Sequence, residues 1–175
     1  MNDTSQLILA EYEQVKQEQR ARIGFRDNLL YATFAVMAGV VGATLPRGGH
    51  VEMLLLLPPL SVILGWTYLV NDEKISAAGR YVREQLAPRL AELTPDCPDV
   101  FGWESAHRSD AHRSSRKRIQ LAVDLLAFCL IPLAALIVYW AFGPLNWPLV
   151  LASVAEAAAA VGLAQQLFRY ADTSR

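Results

Sequence analysis

The chain has 175 residues and a net charge of −1, from 16 basic and 17 acidic side chains, so nucleic-acid binding has no bulk electrostatic support. Hydrophobic residues make up 53% and charged residues 19%, and their distribution decides the class. No charge occurs over residues 28–46, 53–71 or 125–155, which is the pattern of membrane-spanning segments and not of a cytosolic enzyme. Two cysteines, Cys97 and Cys129, are too few and too separated for a disulfide framework or a thiolate metal site.

Residues 1–28 predict a charged cytoplasmic helix that continues into the membrane, with no signal peptide ahead of it. Leu7, Ile8, Tyr12 and Val15 approximate one apolar face, and Asp3 or Thr4 is placed to cap the start. Glu13 and Lys16 are spaced to pair at i,i+3, and Glu18 and Arg22 at i,i+4. Three readings of this helix stand side by side: a solvated extension of the first span, a self-association helix, or a helix lying on the membrane.

Residues 29–70 read as a first transmembrane hairpin, with spans near 29–45 and 51–70 around the breaker Pro46-Arg47-Gly48-Gly49-His50. Each span approaches the roughly 20 residues needed to cross the hydrocarbon. Ala35, Gly39 and Ala43 form a small-residue packing stripe on the first span, with Gly42 beside it. Pro58 and Pro59 lie inside the second span, where a missing donor and a ring clash predict a kink or local unwinding, static or hinge-like.

Residues 71–118 read as a cytoplasmic helical connection. Ile75, Ala78, Val82 and Leu86 recur on one side of a helix that Pro88 is expected to disrupt. A second helix is expected to restart near Phe101 and to feed the third span. Arg113, Arg116, Lys117 and Arg118 read first as cytoplasmic anchors at headgroup level. Glu104, His107, Asp110 and His112 fit no metal-ligand spacing and read as polar helix surface. Ser105, Ser109, Ser114 and Ser115 lack a nucleophile elbow, and no phosphate-binding glycine loop occurs. No cofactor and no enzymatic activity are expected.

Residues 119–168 read as a second hairpin, with spans near 119–141 and 149–168, and residues 169–175 as a cytoplasmic tail. Asp124 lies about 8 Å into the third span and Glu156 about 12 Å into the fourth, at 1.5 Å per residue. A charge at such depth must face protein or water, or be neutralised. Glu156 is therefore a candidate for pore lining or for a cross-helix hydrogen bond. Asp124 is a candidate for pairing with Gln165, with Gln166, or with Arg118 of a neighbouring copy. Gly162 and the alanines around Glu156 suggest that span four packs inside a bundle or an oligomer.

The fold expected is an all-α, integral membrane four-helix bundle with helical cytoplasmic extensions. Fifteen of the Lys and Arg residues fall on one side of this topology and only Arg47 on the other. The positive-inside rule then places both termini and residues 71–118 in the cytoplasm of a multi-pass inner-membrane protein.

The runs GFRDNLLYATFAVMAGVVGATL and LGWTYLVNDEKISAAGRYVRE, and FGWE followed by RKRIQLAVDLLAF, resemble a group of small actinobacterial four-span membrane proteins. More loosely, they are similar to the compact transmembrane effectors of bacterial anti-phage conflict systems. That resemblance implies a cytoplasmic trigger, protein or small molecule, followed by membrane permeabilisation through an oligomer, with no catalytic residues. The leading expectation is thus a homo-oligomeric, channel-like effector in the lipid bilayer. A non-conducting scaffold for a cytoplasmic partner is the alternative, and a small transporter is third, since the chain is short and lacks an internal repeat.

Overall fold

In a computed structural model the described residues are 3–46, 50–94, 100–102 and 113–172, and every regular element among them is helical. In chain order they are α1 (Asp3–Thr44), a 3₁₀ segment (Val51–Leu56), α2 (Leu57–Tyr81), a π turn (Val82–Leu86), α3 (Ala87–Leu93), α4 (Arg113–Leu125), a second π turn (Leu126–Leu130), α5 (Ile131–Phe142) and α6 (Trp147–Asp172). Four continuous helical stretches are long and apolar enough to cross a membrane: Asp3–Thr44, Val51–Leu93, Ser115–Phe142 and Trp147–Ala171. The fold is all-α and consistent with a four-span bundle. In hydrocarbon each backbone donor and acceptor needs an internal partner, which an uninterrupted helix supplies.

The prolines explain where the helices depart from α geometry. A proline lacks the N–H owed to the carbonyl four residues back, and its ring presses on that carbonyl. Pro88 follows the π turn Val82–Leu86, and Pro132 follows the π turn Leu126–Leu130. Widening each turn moves the bonding one residue on: Ala87 N–H reaches the carbonyl of Val82, and Ile131 N–H that of Leu126. The disruption expected at Pro88 is this widened turn, and the helix passes it and continues to Leu93. Pro58 and Pro59 sit in the first turn of α2, where a missing N–H is tolerated, and the preceding stretch is 3₁₀. The unwinding expected inside span two is thus a helix start near its beginning.

The chain divides into two units, Met1–Arg26 with Val70–Ser115, and Asp27–Leu69 with Arg116–Arg175. The first is polar. In it the N-terminal half of α1 runs antiparallel to the end of α2 and its continuation. Arg26 Nη1 donates to Asp72 Oδ1 at 2.8 Å, Arg22 Nη1 to Asn71 Oδ1 at 3.2 Å, and Gln19 Nε2 to the Ile75 carbonyl at 3.0 Å. Further along, the Tyr81 hydroxyl donates to Glu11 Oε1 at 2.5 Å. Ile8, Val82, Leu86 and Leu90 form the core of this hairpin, flanked by Leu9, Tyr12 and Val15. The apolar face of the N-terminal helix is therefore covered by the chain itself. Leu7, expected on that face, is exposed, and Leu9 packs in its place. Glu18 and Arg22 pair at 2.6 Å as their spacing predicts, while Lys16 Nζ reaches Gln19 Oε1 at 2.7 Å.

The second unit is apolar and has two core layers. Tyr68, Leu69, Ala127, Phe128, Cys129, Leu163 and Leu167 form one, and Met37, Leu54, Leu57, Ala135 and Tyr139 the other. The π turn lets three consecutive residues, Ala127, Phe128 and Cys129, all face inward. Gly65 makes the approach of α2 possible: a Cβ there would lie 2.7 Å from Leu163 Cδ2 and 2.9 Å from Phe128 Cγ. Hydroxyls within the spans bond back to their own helix, Thr33 Oγ1 to the Leu29 carbonyl and Thr67 Oγ1 to the Ile63 carbonyl, both at 2.8 Å.

Candidate functional site

The polar side chains of the apolar unit are sorted by the helix faces that carry them. On α6 the inward stripe is Leu149, Ser153, Glu156, Ala160, Leu163 and Leu167, a 4-3-4-3-4 spacing that keeps one line facing the other helices. Ser153 accepts a hydrogen bond from Trp140 Nε1 at 3.1 Å, and Cys129 Sγ contacts the Ala160 carbonyl at 3.6 Å. These two contacts set the antiparallel register of α5 and its preceding π turn against α6.

Glu156 lies on this stripe, half-buried. Its Oε2 atom is buried and has no hydrogen-bond partner among the described residues. The Tyr139 hydroxyl is in the same condition, on a side chain that is 0% exposed. Both are anomalies, since buried polar atoms are nearly always paired. Asp124 differs: it is 6% exposed and is not without a partner. On the same helix face, one turn earlier, Gln120 Nε2 donates to the Tyr68 hydroxyl at 3.3 Å.

The opposite face of α6 is open. Ala155, Ala158, Gly162, Gln165 and Arg169 are all exposed at 3-4-3-4 spacing, and nothing lies within 4 Å of the position a Cβ on Gly162 would take. Gln166 is half-buried. On α1, Ala35 and Gly39 are exposed and Ala43 half-exposed, with open space around Gly39 and Gly42. Span four thus packs by one stripe that includes Ser153 and Ala160, and presents Ala155, Ala158 and Gly162 outward. Within a single copy Gly39, Gly42 and Gly162 face open space. Gly65, which sequence reasoning passed over, is used for close approach between helices, and Gly143 is equally tight against Tyr139. Pro132 was likewise missed, although a proline inside a 31-residue uncharged run is as strong a signal as Pro58-Pro59.

Arg116 and Arg118 are exposed at the start of α4, and Lys117 is half-buried. The tempting set Glu104, His107, Asp110 and His112 lies outside the described residues, as do Ser105, Ser109, Cys97 and Arg47. Among the described residues no group of three metal-ligating side chains occurs. An open apolar groove of about 610 Å³ runs between α5 and α6, lined by Leu136, Ile137, Trp140, Val150, Val154 and Ala157 among others.

Comparison with known proteins returns no matching family model, no matching curated protein and no matching solved structure. What stands is a four-helix membrane bundle, and nothing in these comparisons ties it to actinobacteria or to anti-phage systems.

Proposed function

We propose that the chain is a channel-like membrane effector that works as an oligomer and responds to a signal at its polar unit. The observation that carries this reading is the outward face of α6, where Ala155, Ala158 and Gly162 lead to the exposed amide of Gln165. Small residues let helices from different copies approach closely, and a glutamine amide both donates and accepts across such a contact. Facing lipid, the same amide is unsatisfied; facing other copies, it bonds to its equivalents or to water. Glu156 belongs to the inward stripe, so Gln165 is the first candidate to line a path between copies. Helices α1 and α2 each contribute residues to both units without a break, which gives the charged hairpin a continuous backbone link into the spans. A cytoplasmic trigger and a role in anti-phage defence are carried by the resemblance alone, and the neighbouring genes test them.

The test uses a Cys97→Ser, Cys129→Ser background. Gly162→Cys should cross-link between copies on mild oxidation in native membranes, and the purified oligomer should pass current in a planar bilayer. Gln165→Leu should keep the cross-link and lower the current. A monomeric particle with no cross-link would remove the proposal. A cross-linked oligomer that never conducts would favour the second reading, a scaffold anchoring a cytoplasmic partner. That reading draws on the filled interior of the apolar unit, where Leu57, Phe128, Pro132 and Tyr139 are fully buried.

A further inference from the structure

Phe101, in the connection between α3 and α4, combines two unusual features. Its backbone is left-handed, with φ 58°, and among the described residues no other residue except glycine has a positive φ. For a bulky L residue that conformation is strained, because Cβ crowds the following carbonyl. Its ring lies flat on Tyr12 of α1, with centroids 3.9 Å apart and planes 13° from parallel. Aromatic pairs favour offset or edge-to-face arrangements at wider centroid spacing, so this close stack is also an unfavourable geometry. Such backbone persists only where its surroundings impose it, and it gathers at clamps and switch regions.

The surroundings are the apolar cluster of the polar unit. Ile8, Val82, Leu86 and Leu90 form its floor, and Tyr12, Val100 and Phe101 pack onto it. Val82 and Leu86 are fully buried, while Val100 and Phe101 are only half-buried. Covering the floor removes apolar surface from water, which holds residues 100–102 against the hairpin. Leaving it returns Phe101 to ordinary backbone and separates the stacked rings. The two tendencies oppose each other at one residue. The hairpin beneath has its own polar links, Tyr81 to Glu11, Gln19 to the Ile75 carbonyl, Arg22 to Asn71 and Arg26 to Asp72, and none of them uses Phe101.

We propose that Val100 and Phe101 are a releasable clasp, an internal ligand seated on the apolar face of the polar hairpin. Its release uncovers Ile8, Tyr12, Val82, Leu86 and Leu90 and leaves the two helices joined. The clasp stands apart from the oligomeric reading, which supplies only a use for the release.

Fluorine NMR tests the clasp in the full chain in lipid nanodiscs, with a fluorinated tyrosine in place of Tyr12. A ring stacked on the label shifts its resonance upfield, so the docked and released states are read separately. The wild-type chain should show both lines in slow exchange, with the shifted line the larger. Phe101→Tyr, which keeps the flat ring, should keep both. Phe101→Ala should leave only the unshifted line and speed amide hydrogen exchange over residues 82–90 several-fold. Exchange over residues 15–26, held by Gln19, Arg22 and Arg26, should stay at the wild-type rate. A single shifted line in the wild-type chain would make Phe101 a fixed packing contact and overturn the proposal. So would a spectrum that Phe101→Ala leaves unchanged, or an equal rise in exchange over residues 15–26, which is unfolding of the hairpin and not release. No readout depends on current or on copy number, so failure here leaves the oligomeric reading standing.

Discussion

At the scale of single residues, the glycines separate packing within the chain from packing between chains. Gly65 meets Leu163 and Phe128 at distances no Cβ tolerates, so Gly65→Ala should destabilise the folded chain by about 1–3 kcal/mol through overpacking. Gly39→Ala and Gly162→Ala add a methyl to open space in a helix interior, where alanine is the better helix former, and should hold or raise the unfolding midpoint in detergent. The three midpoints, measured side by side, check this ordering; an equal loss at Gly39 would show that its face is already filled in one copy. In the polar unit, the hydrogen bond that Tyr81 donates to Glu11 holds its phenol above the ordinary value, with burial and the Glu11 charge adding in the same direction. The folded hairpin then binds the phenolic proton more tightly than the unfolded chain does. Its contribution is full below about pH 10, the ordinary tyrosine value, and is lost as pH rises through the higher folded value. Alkaline titration should therefore show the hairpin weakening above pH 10, and Glu11→Gln should reduce that dependence. A titration curve unchanged by Glu11→Gln would show that the hydrogen bond does not set the shift.

At the scale of elements, the spans were legible because a missing charge over a span's length is a coarse signal that packing cannot hide. The ends of the helices were less so. Pro88 reads from sequence as a disruption, and the disruption is a π turn that carries the helix past it and keeps the Leu90 contacts beyond. Depth alone asked that Glu156 face protein or water, but which neighbours it faces was beyond the sequence. An alanine-rich helix offers no apolar moment to say which side faces the bundle, and only the Trp140–Ser153 and Cys129–Ala160 contacts fix it. The two π turns make a comparison possible. Pro132 is fully buried, and its π turn places Phe128 in the core; Pro88 is exposed. Pro132→Ala should lower stability by about 1–2 kcal/mol through lost packing, whereas Pro88→Ala should be neutral or slightly stabilising as the helical N–H returns. Thermal unfolding in one detergent compares them, and a stabilised Pro132→Ala would show that the π turn is strain and not a packing device.

At the scale of the whole molecule, the open question is which way the four spans face. An even number of crossings puts both chain ends on one side, and with them residues 71–118 and fifteen of the sixteen basic side chains. Each arginine on the far side of a membrane opposes the orientation that translocates it, so this distribution predicts that both ends and residues 71–118 lie inside. Two exposed positions report it. Gln85 lies in the π turn of the polar unit, and His50 in the turn ahead of the 3₁₀ segment between spans one and two. On a cysteine-free background, His50→Cys should react with a membrane-impermeant maleimide added to intact spheroplasts, and Gln85→Cys should react only after the membrane is opened. The reverse pattern would invert the protein and put the polar hairpin outside the cell. Labelling of both positions from outside would place residues 50 and 85 on one face, which a single crossing between them forbids, and the four-span arrangement would fall.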